Sequence, residues 1–244
     1  MHDSIKILAI ETTGPLASTA LSGFGETKMV INETHYSHLE EIAPMAKSLL
    51  ETSGCSPNQL DAVAVSRGPG SFTGIRIGVA TAKGLALVWN KPVIEVPTLA
   101  AFAFGKAAEE VTGGNKDAII CPLFDARRNQ VYAGAYKPFC SEAVVEDAAW
   151  DLDDFLEKLA EKAGNSKVYF FGDGCDAYKE RLENCGLDCS FAPQECRYQL
   201  ADGVLNLALE RFGKEEYMKD AYTCQPEYLR QAEAERKLRE KQAK

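Results

Sequence analysis

The chain is short of metal ligands in usable patterns. Only three of its 244 residues are histidine, and none of its eight cysteines, Cys55, Cys121, Cys140, Cys175, Cys185, Cys189, Cys196 and Cys224, stands in a CxxC pair. A zinc ribbon or finger needs paired ligands at short spacing, so that class is excluded. His35 and His38 are spaced HxxH, but with only His2 besides and no carboxylate cluster beside them they read as surface or capping residues. No metal site is expected, and the cysteines read as reduced thiols. Long apolar runs are missing too. The opening MHDSIKILAIETTGP is too short in its apolar part for a signal peptide, and nothing approaches a membrane span, so a soluble cytoplasmic protein with no membrane partner is expected. Positive charge is also scarce, 27 Lys and Arg against 36 Asp and Glu for a net −9. That field opposes autonomous binding to nucleic acid, whose affinity comes largely from neutralised phosphates.

One segment departs from that balance. Residues 230–244 hold six basic and three acidic side chains, which leaves −12 on the remainder. Mixed charge without aromatics reads as an exposed helix, and 231–244 is set apart as a basic, mixed-charge tail.

What is present is an α/β pattern that occurs twice. IKILAIET, LASTALSGFG and KMVINETH read as three strands, 37–53 as a helix with Leu39, Ile42, Ala46, Leu49 and Leu50 at helical spacing, LDAVAVSRGPG as a buried strand, and 72–89 as a second helix. After KPVIEVPTL and a connecting helix at 99–111 the order restarts with DAIICPLF, QVYAGAY, EAVVED, a helix at 151–163, the strand KVYFFGDG and a helix at 175–184. Acidic residues follow both first strands, Glu11 and Asp125, and glycine turns follow both fourth strands, Gly68–Gly70 and Gly172–Gly174. This duplicated β-β-β-α-β-α order resembles the two-lobed ribonuclease H-like, actin-like ATPase fold. It predicts lobes of residues 1–103 and 104–230, with a late helix at 199–212 joining the first.

That resemblance makes Glu11, Thr12, Gly14, Asp125, Arg127, Gly172 and Gly174 the candidates for a vestigial nucleotide cleft. The named phosphate motifs fail, because Thr73 stands where both the P-loop and the dinucleotide pattern, counted from Gly68, need glycine. Ser71 lacks the upstream glycine of a nucleophile elbow. In DARRNQ, Arg127 and Arg128 replace the small residues that let backbone amides approach phosphate. Efficient phosphoryl transfer is therefore not expected, although arginine side chains leave weak or interface-bound ATP or ADP open. The competing reading is an actin-like ATP-dependent phosphotransferase, a small-molecule kinase using Glu11 and Asp125 for Mg²⁺.

The blocks ILAIETT…STAL, SRGPGSFTGIRIGVATAKGLAL, FDARRNQVYAGAY and PEYLR together resemble the TsaB (YeaZ) family of bacterial tRNA threonylcarbamoyladenosine biosynthesis proteins, up to about Arg230. The resemblance implies a noncatalytic relative of the TsaD transferase. It implies work with TsaD and the ATPase TsaE on tRNAs that read codons beginning with A, with tRNA met only within the complex. TsaD holds its metal through HxxxH, which this chain lacks.

Gly74, Gly78 and Ala82 recur every four residues, leaving one face of the second helix nearly bare. Interior glycines cost about 1 kcal/mol each relative to alanine, so the bare face needs a reason. The residues alone leave two open: close packing on the chain's own sheet, or approach of another chain's helix. The resemblance implies the second, with pairing to TsaD or to a second copy through Leu39, Ile42, Met45, Leu49, Gly74, Ile75, Gly78, Val79 and Ala82.

Overall fold

The computed structural model describes residues 5–34 and 38–229; His2, His35 and the basic tail lie outside them. Ile7–Glu11 (β1), Ala17–Leu21 (β2) and Lys28–Asn32 (β3) form an antiparallel meander. Beyond the helix His38–Thr52 (α1), Ala62–Gly68 (β4) returns parallel to β1, with Leu8 opposite Val63 and Ile10 opposite Val65. Phe72–Trp89 (α2) leads to Val93–Pro97 (β5), parallel to β4. Every residue of β1 is buried, as befits a central strand covered on both faces and an unbroken apolar run.

The connection that reads as one helix is two, Thr98–Phe102 (α3) and Lys106–Thr112 (α4). Gly105 separates them, and the carboxylate of Asp202 accepts from Lys106 N at 2.7 Å to start the second. Ile119–Asp125 (β6), Gln130–Tyr136 (β7) and Ala143–Asp151 (β8) repeat the meander; Leu152–Ala163 (α5) and Val168–Phe171 (β9) follow, with β9 parallel to β6. The next helix is again broken, into Gly174–Ala177 (α6) and Lys179–Glu183 (α7). Cys189–Phe191 (β10), Ala201–Arg211 (α8) and Met218–Lys219 (β11) complete the chain. The sheets run β11-β5-β4-β1-β2-β3 and β10-β9-β6-β7-β8. This is the duplicated, two-lobed ribonuclease H-like, actin-like architecture.

Between the sheets lies one core. Phe102 meets Phe124 and Phe171, each at 5.8 Å between ring centroids, and Val204, Leu205, Leu207 and Ala208 of α8 pack with them. Ser18 Oγ accepts from the backbone N–H of Ala201 at 2.9 Å and so caps α8 against the first sheet.

On the other face of the first sheet lie α1 and α2. Ser71 is the N-cap of α2, its hydroxyl accepting from Gly74 N at 3.2 Å, and Asn90 ends the helix in the left-handed region. Here the structure corrects the partner assignment. A Cβ on Gly74 would overlap the carbonyl oxygen of Thr12, and one on Gly78 would overlap the Thr12 hydroxyl and meet Val65 Cγ2 at 3.5 Å. The bare stripe therefore faces the chain's own β1 turn and β4. Ile42, Met45, Leu49, Ile75, Val79 and Ala82 are buried in the same lobe, and of the nine assigned residues only Leu39 is exposed. Apolar side chains at helical spacing are the ones a helix buries against its own sheet.

Overpacking at this contact is expected to destabilise Gly78→Leu by roughly 1–3 kcal/mol. Gly84 on the same helix has open space where a Cβ would stand, so Gly84→Ala should stabilise by about 0.5–1 kcal/mol. Thermal melts of the two variants check the pair; equal melting points would place the stripe elsewhere.

Candidate functional site

Glu11 ends β1 with its side chain fully buried. Its Oε1 accepts from the backbone N and the hydroxyl of Thr13, each at 2.5 Å, and its Oε2 accepts from the Ser66 hydroxyl of β4. Burial raises its pKa, with the Ser66 and Thr13 hydrogen bonds opposing. Around it the turn is closed onto α2: Thr13 O accepts from Ser71 N at 2.8 Å, and the Thr12 hydroxyl donates to Gly74 O at 2.8 Å. His38 is not a surface residue. It is buried at the start of α1, with Nε2 2.9 Å from Gly14 O. Both oxygens of this buried carboxyl are engaged in hydrogen bonds within the chain.

The second turn is built differently. Asp125 is exposed, and its Oδ1 accepts from Arg127 N at 2.7 Å and from the Tyr178 hydroxyl at 2.8 Å. Arg127, Arg128 and Asn129 are consecutive non-glycine residues at φ 63°, 56° and 64°. The chain so turned closes with Ala126 N donating to Gln130 O at 2.9 Å. A Cβ on Gly172 would overlap Leu123 O and one on Gly174 the Leu123 side chain, so close packing on β6 accounts for both glycines. Among the described residues no group of three His, Cys, Asp or Glu side chains could hold a metal. No helix of the described residues is long and apolar enough to cross a membrane.

A cleft of ≈ 390 Å³ opens between the lobes, and none of the seven proposed nucleotide residues lines it. Arg67 stands at its edge, ion-paired to Glu227 at 2.9 Å and Glu95 at 3.4 Å. Asp147 of β8 accepts the Tyr136 hydroxyl at 2.6 Å, and a Cβ at Gly134 would occupy the place of its Oδ1. Burial first, then the charges of Glu227 and Glu146, push the Asp147 carboxyl up to about 7 against the Tyr136 bond and Arg67. Arg211, at the end of α8, donates to Glu95 O at 2.8 Å and stacks over Tyr217 at 4.3 Å. These residues carry no motif: Arg67 sits inside the quoted SRGPG block, but Asp147 and Arg211 are ordinary letters in a strand and a helix end.

Because the folded state holds the Asp147 proton more tightly than the unfolded chain does, its contribution to stability is full below the ordinary carboxyl range and is lost as pH rises to about 7. Glu11 and Asp173, also raised by burial, act with the same sign. Asp147→Asn keeps an acceptor for Tyr136 and cannot ionise. Its melting point should gain on the parent between about pH 5 and about pH 8, by an amount equivalent to roughly 1–2 kcal/mol once solvent screening is allowed for. A pH-independent difference would contradict the assignment.

The family model described as TsaD, tRNA N6-adenosine threonylcarbamoyltransferase, matches residues 30–238. The chain is 34% identical to the tRNA threonylcarbamoyladenosine biosynthesis protein TsaB of Bacillus subtilis (strain 168), over 97% of this chain and 99% of that one. It is 32% identical to TsaB of Haemophilus influenzae, over 74% and 77% of the two chains. Among solved structures, YeaZ from Pseudomonas aeruginosa superposes with a TM-score of 0.74 at 26% identity, covering 92% of this chain and 99% of that one. The chain belongs to the TsaD-related family, and within it to the TsaB (YeaZ) proteins.

Proposed function

We propose that this protein is a noncatalytic subunit of the machinery that forms threonylcarbamoyladenosine in tRNA, and that it docks a TsaD-type transferase on the outward faces of α1 and α2. The observation that carries the reading is the closure of the first phosphate turn: Glu11 is buried and fully engaged where an actin-like phosphotransferase would need an open acid. The kinase alternative loses its first metal ligand to that packing. What α2 turns outward is a second row of small and apolar residues, Ala80, Gly84, Leu87 and Val88, with no charge among them and Val88 80% exposed. On α1, Leu39 is 74% exposed above Ala43. A partner helix could approach the Gly84 side to the usual 8–10 Å. The TsaE-type ATPase, tRNA and any second copy of the chain belong to the same assembly in this reading, with nucleotide bound, if at all, where subunits meet.

The purified protein alone should show neither ATP turnover nor threonylcarbamoyl transfer, and transfer should require added TsaD-type and TsaE-type proteins. Val88→Glu and Leu39→Glu should keep the parent melting point and lose co-elution with the transferase in size-exclusion chromatography. Retained co-elution of both variants, or turnover by the lone chain that Asp125→Ala abolishes, would overturn the reading.

A further inference from the structure

The cleft between the lobes is built around an imbalance. Arg211 is nine-tenths buried, yet among the described residues no carboxylate is ion-paired with it and its Nε has no hydrogen-bond partner. Its contacts are the Glu95 carbonyl oxygen and the ring of Tyr217, and burial lowers its pKa. Removing a guanidinium from water without a counter-charge is unfavourable unless something anionic completes the site.

Carboxyl groups nearby do not meet that need, although they are in excess. With Arg67 already paired to Glu95 and Glu227, the cleft still presents Glu142, Glu146 and Asp147. Among the described residues Asp147 accepts one side-chain hydrogen bond, from Tyr136 to Oδ1, which leaves its other oxygen for a donor. Gly134 reserves the space in which that carboxyl sits. Tyr136, Asp147 and Arg211 line the same cleft. A simple anion would answer Arg211 and be repelled by the three acids. A simple cation would leave Arg211 as it is. Pro69, Pro97 and Ala100 add an apolar wall, and ≈ 390 Å³ lies within the range of small-molecule sites, roughly 300–1,000 Å³.

We infer that the interlobe cleft binds a small zwitterion of the α-amino-acid class, its carboxylate on Arg211, its ammonium on Asp147 and the Glu142–Glu146 rim, and an aliphatic side chain against the prolines. The site is separate from the outward faces of α1 and α2 and needs no partner chain, so its test does not depend on the docking reading.

The full-length protein alone is titrated calorimetrically, and its melting point followed, with each of the proteinogenic L-α-amino acids at millimolar concentration, and with butyrate and propylamine as the two half-molecules. At least one amino acid should bind saturably and raise the melting point, since a ligand of the folded state alone stabilises it; the half-molecules should do neither. Asp147→Asn and the exposed-site variant Glu146→Gln should each weaken that binding, Asp147→Asn by tenfold or more, and Arg211→Lys should abolish it. If Arg211→Lys does not fold, the two acid variants decide. The inference fails if no amino acid binds, if butyrate or propylamine binds as well as the zwitterion, or if Asp147→Asn and Glu146→Gln bind like the parent.

Discussion

The carboxyl of Glu11 is the point on which the first lobe is assembled. It is wholly buried, and its hydrogen bonds join the end of β1 to its own turn through Thr13 and to β4 through Ser66. The same turn is then fixed to the first turn of α2, Thr13 O to Ser71 N and Thr12 Oγ1 to Gly74 O. A buried carboxyl is tolerable only with its oxygens satisfied, so the polar contacts are mutually dependent. Because α2 is drawn this close, Gly74 and Gly78 can carry no side chain; Ile75, Val79, Ala82 and Ala86 pack inward beside them, while Ala80, Gly84, Leu87 and Val88 face outward.

The two halves have diverged from one plan. In the first, the acid after the opening strand has become a buried structural group. In the second, Asp125 remains exposed but holds a turn of three left-handed residues and the Tyr178 hydroxyl. Neither arrangement resembles a pair of acids facing a common ion. Arg211 of α8, whose buried Nε has no hydrogen-bond partner among the described residues, lies instead in the cleft between the lobes, which it lines together with Tyr136 of β7 and Asp147 of β8.

Much of this was legible in the chain. Unbroken apolar runs located β1, β4, β6 and β9, and the repeat of acid and glycine landmarks exposed the duplication. The glycine stripe was not decidable, because a bare helix face is required equally by a partner helix and by a near backbone. What settles it is the carbonyl and hydroxyl of Thr12, 62 residues from Gly74 in sequence. His38 read as a surface or capping residue, and its burial was not legible because its partner, Gly14 O, is 24 residues away. Two connections read as continuous helices are broken, one because Asp202 of α8 caps Lys106, a contact of 96 residues' separation. Arg211 and Asp147 had no local signal, since their meaning lies in being buried beside each other's lobe rather than in any spacing.

Hydrogen–deuterium exchange of the protein, alone, with Mg·ATP and with the TsaD-type transferase, tests the central claim most directly: that the chain acts through the outward side of α1 and α2 and not through a phosphate site. The account predicts that the transferase slows exchange across residues 39–48 and 80–88, and that Mg·ATP alone leaves residues 11–14 and 125–130 unchanged. Protection of the two strand-end turns by Mg·ATP, with the helices unaffected by the transferase, would contradict it.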